Sequence, residues 1–252
     1  MCDATLSMPI DYAQAGAFTW ARADRSPIQS KPGACDGCAR RQGCIANDLD
    51  GDALERLDAI MHSTRIIRQG ETLFRAGDVF RSIYSVRTGS FKTVIAHRDG
   101  MEHVSGFQLP GDVMGFDCHE VSAMALEDST VCVVPFSLLE KECAESRALQ
   151  HQVHTLMSAE IVRESALMML LGVMSAEERV AAFLINIATR MQQRGFSASS
   201  FNLRMTRDEI GSYLGLTLET VSRMLSRFHK DGLIRAGGKR IDILDPDGLR
   251  AV

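Results

Sequence analysis

The segment from Met205 to Phe228 fixes more local geometry than any other part of this 252-residue chain. Thr206, followed three residues later by Glu209, forms a capping box, the pattern that starts a helix. Gly215 lies where a tight turn needs a left-handed backbone, and Thr217 is suited to cap a second helix after that turn. The segment therefore predicts two short helices joined by a tight turn, a helix-turn-helix.

The second predicted helix carries a polar face near its start. Glu219, Ser222 and Arg223 fall at positions i, i+3 and i+4, so they share one side of the helix. Arginine can bind O6 and N7 of guanine, and glutamate can accept a hydrogen bond from N4 of cytosine. These residues are predicted to read double-stranded DNA in the major groove, and the alternative is an ordinary solvated helix face.

Charge is divided unevenly along the chain, whose net charge is −4. Residues 172–252 carry 12 Lys and Arg against 9 Asp and Glu, whereas the remainder carries 16 against 23. A mildly basic module on an acidic body suits site-specific DNA binding and excludes a wholly basic nucleic-acid coat. Within that module, residues 233–243 predict a hairpin wing, with Lys239 and Arg240 placed to reach phosphate.

The spacing of apolar residues changes once in the middle of the chain, from a strand pattern to a helical one. Between Ile66 and Phe136, short β-favouring runs are separated by glycines and by an Asp-Gly turn signal at 99–100, which predicts an antiparallel roll. From Ala148 to Leu171 the period becomes helical, so a long helix is expected to pack on its own roll or on a second copy of the chain. Its stripe consists of Val153, Met157, Ile161, Glu164, Met168 and Leu171.

Three of the seven cysteines, Cys35, Cys38 and Cys44, lie in a polar amino-terminal arm that is not expected to fold by hydrophobicity. The sequence shows no secretory signal, and its longest apolar run, 166–174, is too short to span a bilayer. A cytoplasmic protein without a membrane partner is therefore expected. In a reducing compartment, clustered cysteines more often bind metal or sense redox state than form structural disulfides.

Roll, long helix and winged helix-turn-helix, in that order, resemble the catabolite activator and fumarate–nitrate reduction regulator (FNR) superfamily over nearly the whole chain. Three motifs look like the FNR branch in particular. They are the C-x2-C-x5-C triplet of the arm, the strand around Cys132, and the Glu219-x2-Ser222-Arg223 pattern.

The fold class that the resemblance implies is α+β. Its parts are an N-terminal cysteine arm (1–50), an antiparallel β-roll of the jelly-roll, cyclic-nucleotide-binding-like type (51–143), a long dimerisation helix (144–172) and a C-terminal winged helix-turn-helix (173–252).

The FNR resemblance implies one 4Fe-4S cluster, for which four thiolates are a suitable soft ligand set. The implied ligands are Cys35, Cys38, Cys44 and Cys132. Considered by itself, Cys132 would be interpreted as a buried core thiol, which is the alternative to a ligand. Cys118 is the rival fourth ligand, Cys2 and Cys143 rank below it, and structural zinc is the competing metal.

Cyclic-AMP-binding relatives hold the nucleotide with a Gly-Glu pair and an Arg-Ser pair. Here the comparable positions are Gly115-Phe116 and Val121-Ser122. Because no arginine balances the phosphate charge in a buried pocket, no cyclic nucleotide is expected as a ligand.

The resemblance implies an oxygen-responsive global transcription regulator of anaerobic genes, not an enzyme. A homodimer with an intact cluster would bind DNA resembling TTGAT-N4-ATCAA and contact RNA polymerase, and oxygen would inactivate it by degrading the cluster. Glu164 would disfavour dimerisation after that loss. The open alternatives are a relative that senses haem, nitric oxide or a nucleotide, and a thiol–disulfide sensor. An enzyme on a metal-binding jelly roll is disfavoured, because the roll sequence has no His-x-His.

Overall fold

The computed structural model describes residues 28–29, 35–38, 41, 43–61, 63–96, 100–115 and 119–252. Its strands are β1 (Ile28–Gln29), β2 (Ser63–Ile67), β3 (Thr72–Phe74), β4 (Ser82–Thr88), β5 (Phe91–Ala96), β6 (Glu102–Gln108), β7 (Val113–Met114), β8 (Ser122–Ala125), β9 (Ser129–Pro135), β10 (Ser200–Asn202), β11 (Ile234–Gly237) and β12 (Arg240–Ile243). Its helices are α1 (Gly51–Ile60), α2 (Phe136–Glu145), α3 (Arg147–Val173), α4 (Ala176–Gln193), α5 (Arg207–Leu214), α6 (Leu218–Lys230) and α7 (Pro246–Arg250), with a 3-10 turn at Cys35–Gly37.

Two antiparallel sheets form the roll. One has the strand order β1-β2-β9-β4-β7 and the other β3-β8-β5-β6. β9 lies inside the first sheet, where Cys132 faces Thr64 of β2 on one side and Ser85 of β4 on the other. β5 and β6 pair across the Asp-Gly turn signal, although residues 97–99 of that turn lie outside the described part of the chain. The predicted α+β fold, an antiparallel roll followed by a long helix and a helix-turn-helix, is confirmed.

Part of the cysteine arm joins the hydrophobic core, which corrects the expectation that the arm cannot fold by hydrophobicity. Ile45, Ala46 and Leu49 are buried in a cluster that also contains Leu57 of α1 and Leu149 of α3. The amino-terminal cysteines therefore lie beside a segment that is fixed by ordinary apolar burial.

A second core runs from the carboxyl-terminal module into the roll. It combines Leu184 of α4, Ile210 of α5 and Phe228 of α6 with Phe107 and Leu109 at the end of β6. The carboxyl-terminal module is therefore packed on the roll in this chain.

α3 is the longest helix in the described residues. Its amino-terminal part packs on the roll side of the molecule, and much of its remaining surface faces solvent. Neither α3 nor any other helix in the described ranges is long and apolar enough to cross a bilayer.

Candidate functional site

The cysteine loop is built from turns with a period of three residues. Backbone N–H groups of Cys38, Arg41, Cys44 and Asn47 each donate to the carbonyl oxygen three residues earlier, at N–O distances of 3.2, 3.1, 3.3 and 2.9 Å. With three residues per turn, side chains at i and i+3 lie on the same side. The three cysteines are spaced by three and six residues along these turns.

The thiols face the middle of the first sheet. Cys35, Cys38, Cys44 and Cys132 of β9 line one small cavity, together with Met61 and Arg87 among others. The structure thus brings all four sequence-predicted ligands together from two segments that are far apart in the chain. Cys143 lies on α2 and does not line this cavity, whereas Cys2 and Cys118 lie outside the described residues.

Polar contacts hold the loop in place. The Nε of Arg41 donates to the carbonyl oxygen of Ala46 at 3.2 Å, and its Nη2 donates to that of Leu49. The Cys35 N–H donates to Oδ1 of Asp58 on α1 at 3.1 Å. The Ala46 N–H donates to the Cys44 sulfur at 3.2 Å, a contact that favours negative charge on that sulfur.

Burial disfavours the thiolate form of three of these cysteines. It raises the pKa of Cys35 to about 12, with Asp58 adding to the rise. It raises the pKa of Cys132 to about 11 although the nearby Arg87 opposes the change, and it also raises the pKa of Cys44. Such thiols become thiolates when a positively charged metal centre compensates the charge.

The donors fit a thiolate-bound metal centre in type but are not arranged around one. The five described cysteines are all free thiols. At the same time, no three His, Cys, Asp or Glu side chains in the described ranges stand in positions that would already hold a metal ion. The four thiols nevertheless line one cavity, and thiol positions adjust when ligands bind a metal.

The predicted helix-turn-helix forms as its local pattern requires. Thr206 and Glu209 make the capping box at α5, and Thr217 accepts from the Thr220 N–H at the start of α6. Gly215 ends α5 with φ = 64°, in the left-handed region where glycine is favoured. Gly211 lies against the turn, so that a Cβ there would be 2.6 Å from the Leu216 carbonyl oxygen.

The residues proposed to read DNA lie on the outer side of α6. Glu219 and Arg223 are exposed and Ser222 is half-buried, whereas Val221 and Phe228 face the core. The wing is β11 and β12, where Lys239 is exposed and Arg240 pairs with Asp242 at 3.0 Å. Arg207 of α5 donates to the Gly238 carbonyl oxygen at 3.1 Å and so ties the wing to the helices.

The proposed dimer stripe on α3 divides into two parts. Ile161 and Met168 are 63% and 67% exposed, and Met157 and Glu164 are exposed with them. The ends of the stripe behave differently: Val153 packs on the core beneath the cysteine loop, and Leu171 lies close to Gly215. Sequence periodicity did not single out three further exposed apolar residues on this helix, Val162, Met169 and Val173.

The cyclic-nucleotide positions are described only in part. Val121 packs against the core of the roll, and Phe116 lies outside the described residues. At the position where cyclic-AMP-binding relatives carry the arginine of the Arg-Ser pair, this chain therefore has an apolar side chain that faces inward.

Two family models match the chain: the cyclic nucleotide-binding domain over residues 64–146 and the Crp-like helix-turn-helix domain over residues 178–252. A sensor-type roll joined to a winged helix-turn-helix defines the class of protein as a transcription regulator.

Curated relatives and solved structures narrow this class. The chain is 43% identical to the fumarate and nitrate reduction regulatory protein of Escherichia coli K12 over 220 residues, which is 85% of this chain and 88% of the relative. It is also 43% identical to electron transport regulator A of Shewanella oneidensis over 216 residues, covering 84% of this chain and 86% of that one. The structure of FixK2 from Bradyrhizobium japonicum matches with a TM-score of 0.70 and 32% identity, over 75% of this chain and 95% of that chain. The chain belongs to the Crp/FNR family, in the branch of the fumarate and nitrate reduction regulators, whose members are not enzymes.

Gly211→Ala is expected to destabilise the helix-turn-helix by about 1–3 kcal/mol, because the added methyl group meets a backbone oxygen that cannot move alone. Urea unfolding measures the effect. Gly172→Ala is the matched control, since it lies in α3 with no atom within 4 Å of the added Cβ. There, alanine should stabilise the helix by up to about 1 kcal/mol. Equal losses in both variants would contradict the close approach of α5 and α6.

Proposed function

We propose that this chain is an oxygen-responsive transcription regulator of anaerobic genes that carries a 4Fe-4S cluster on Cys35, Cys38, Cys44 and Cys132. The observation that carries the proposal is the single cavity lined by these four thiols, three from the arm and one from β9. Names of the relatives support the same biology, since one is called a fumarate and nitrate reduction regulatory protein and another an anaerobic regulatory protein.

The surroundings of the thiols suit a negatively charged centre. Arg87 lines the cavity. Arg41 lies close enough to Cys44 to offset part of the rise that burial causes in the pKa of that thiol. The Ala46 N–H points at a sulfur, as backbone amides do around thiolate-bound centres. When bound, the cluster supplies an oxygen-labile iron–sulfur centre. The residues of the chain hold it and transmit whether it is present.

The cysteine loop is connected to the dimerisation helix. Gln152 of α3 donates from Nε2 to the Cys44 carbonyl oxygen at 3.4 Å. Leu149, one turn earlier, is fully buried in the same cluster as Ile45 of the loop. An ordered loop therefore stabilises the first turns of α3, and a released loop withdraws that support.

The rest of α3 is suited to pair with a second copy of the chain. Met157, Ile161 and Met168 lie exposed along one side, and Glu164 lies among them. Across a twofold axis, two such carboxylates at ~4 Å repel by ~1–4 kcal/mol at effective dielectric constants of about 80 to 20. A penalty of that size keeps the dimer near balance, so the support given by the loop can decide the outcome.

Dimerisation would present two α6 helices to successive major grooves, one helical turn apart. Arg223 would bind a guanine, with Glu219 and Ser222 beside it, in DNA resembling TTGAT-N4-ATCAA. RNA polymerase is the further proposed partner, contacted through loops of the roll.

The first test is metal content. Protein purified under nitrogen should contain about four iron and about four acid-labile sulfide per chain, the content of one 4Fe-4S cluster. Cys132→Ser should lose most of both. Cys143→Ser should keep them, because Cys143 is a free thiol outside the cavity. Zinc without sulfide, or equal loss in both variants, would refute the proposed site.

Glu164→Ala should shift the protein towards dimers in air by removing the carboxylate repulsion. Sedimentation velocity measures the change, and Glu120→Ala, an exposed glutamate on the roll, serves as the control. Sedimentation that is the same for the two variants would remove Glu164 from the regulatory mechanism.

Arg223→Ala should relax discrimination at one guanine by about 1–3 kcal/mol. Arg227→Ala should change affinity uniformly, since Arg227 is engaged with Glu177 at 2.7 Å and with Asp231 at 3.6 Å. Affinities for a set of single-base operator variants measure both. A uniform loss for Arg223→Ala would reassign that residue to a phosphate contact.

A further inference from the structure

Asp112 is a buried carboxylate that sequence reasoning did not identify. It lies in the turn between β6 and β7, and the residue is only 4% exposed. The turn holds it firmly, since the Leu109 N–H donates to its Oδ2 at 2.7 Å and the Val86 N–H donates to its carbonyl oxygen at 2.9 Å. Asp112 is thus part of the rigid roll.

Three arginines from two helices surround this carboxylate. Arg190 of α4 and Arg194, the residue that caps the end of α4, both bind it directly, and the Nη2 of Arg163 on α3 is 3.7 Å from its Oδ1. Burial alone would raise the pKa of Asp112, but the arginines hold that pKa below its usual range. Arg190 also donates to the Phe107 carbonyl oxygen of β6 at 2.8 Å. This single carboxylate therefore links the roll to α4, the first helix of the DNA-binding module.

The positive charge around Asp112 is in excess. Glu160 pairs with Arg163 at 2.6 Å, so two carboxylates serve three guanidinium groups. Within the described residues, no acceptor reaches the Nε of Arg190 or of Arg194. Since buried charges need partners, loss of the Asp112 charge would leave the guanidinium groups of Arg190 and Arg194 without their carboxylate and weaken this contact between α4 and the roll.

Arg194, one of the arginines that bind Asp112, also touches the cysteine loop. Gly43, next to Cys44, has φ = 84°, and a Cβ on it would be 3.6 Å from the Nε of Arg194. The backbone of the loop therefore lies on the side chain that binds Asp112.

Further contacts continue the interface towards the DNA-reading helices. Lys92 of β5 pairs with Glu209 of α5 at 2.9 Å, with both side chains mostly buried. The Val104 N–H of β6 donates to the Ser212 hydroxyl at 2.9 Å. Polar contacts therefore act together with apolar packing, such as that of Phe107 on Tyr213, to place α5 on the roll.

We propose that Asp112 is a positioning residue for DNA recognition. By holding Arg190 and Arg194, it fixes the orientation of the helix-turn-helix on the roll, so that both halves of a dimer meet their half-sites at once. The inference rests on the proposed dimeric binding of DNA and goes beyond it, because it concerns the geometry of the module and not the sensing of oxygen.

The test compares two duplexes, one with both half-sites and one with a single half-site. Asp112→Asn keeps the shape of the side chain and removes its charge. If orientation is lost, simultaneous binding of two half-sites suffers while each contact survives. Affinity under nitrogen, measured by fluorescence anisotropy, should fall roughly tenfold for the two-site duplex and less than about twofold for the single site. Asp128→Asn, whose carboxylate pairs with Arg68 at the surface of the same roll, should change neither.

Equal losses on the two duplexes, or no loss on either, would overturn the proposal. Arg194→Met, which keeps an apolar stem and removes the charge, is the second variant if Asp112→Asn does not fold, and it should show the same difference. Hydrogen exchange gives a readout without DNA: the Val104 amide should exchange faster in these variants, and unchanged exchange would also overturn the proposal. Iron and sulfide analysis and sedimentation of the unsubstituted protein test the proposed function separately, because neither measurement involves the contacts of Asp112.

Discussion

The hydrogen bonds that Arg41 makes within the cysteine loop are the contacts on which the rest of the site depends. Its guanidinium group donates to two backbone carbonyl oxygens, those of Ala46 and Leu49, in a segment that has no sheet or long helix to satisfy them. Buried backbone groups need such partners. With them satisfied, Ile45 can enter the core while the three arm cysteines line one cavity with Cys132 of β9.

From this loop, two contacts lead in different directions. Gln152 hydrogen-bonds the loop to α3, whose exposed side is suited to pairing with a second subunit. Gly43 rests on Arg194 and so touches the helix that begins the DNA-binding module. In the proposed mechanism, pairing of subunits and orientation of the reading helices are separate requirements for binding two half-sites, and the cysteine loop contacts a residue that serves each of them.

Local patterns in the sequence were enough to predict the helix-turn-helix, because caps and left-handed turns depend on neighbours within four residues, as at Thr206 and Gly215. The grouping of the arm cysteines with Cys132 came from family resemblance, since spacing alone did not choose between Cys132 and Cys118. The Asp112–Arg194 contact joins residues 82 positions apart, so no local pattern records it. Periodicity identified the stripe of α3. It did not show that Val153, at one end of the stripe, packs on the core of its own chain.

The position of β9 has a consequence for repair. This strand is hydrogen-bonded along its length to β2 and β4, so Cys132 belongs to a scaffold that stands whether or not the arm is seated. The arm cysteines depend instead on single turns, a few side chains and the apolar burial of Ile45, so they have fewer ladder hydrogen bonds than Cys132. In the proposed function, loss of the cluster would therefore release one short segment while the sheet around Cys132 stays folded, and the site would be rebuilt without refolding of the roll.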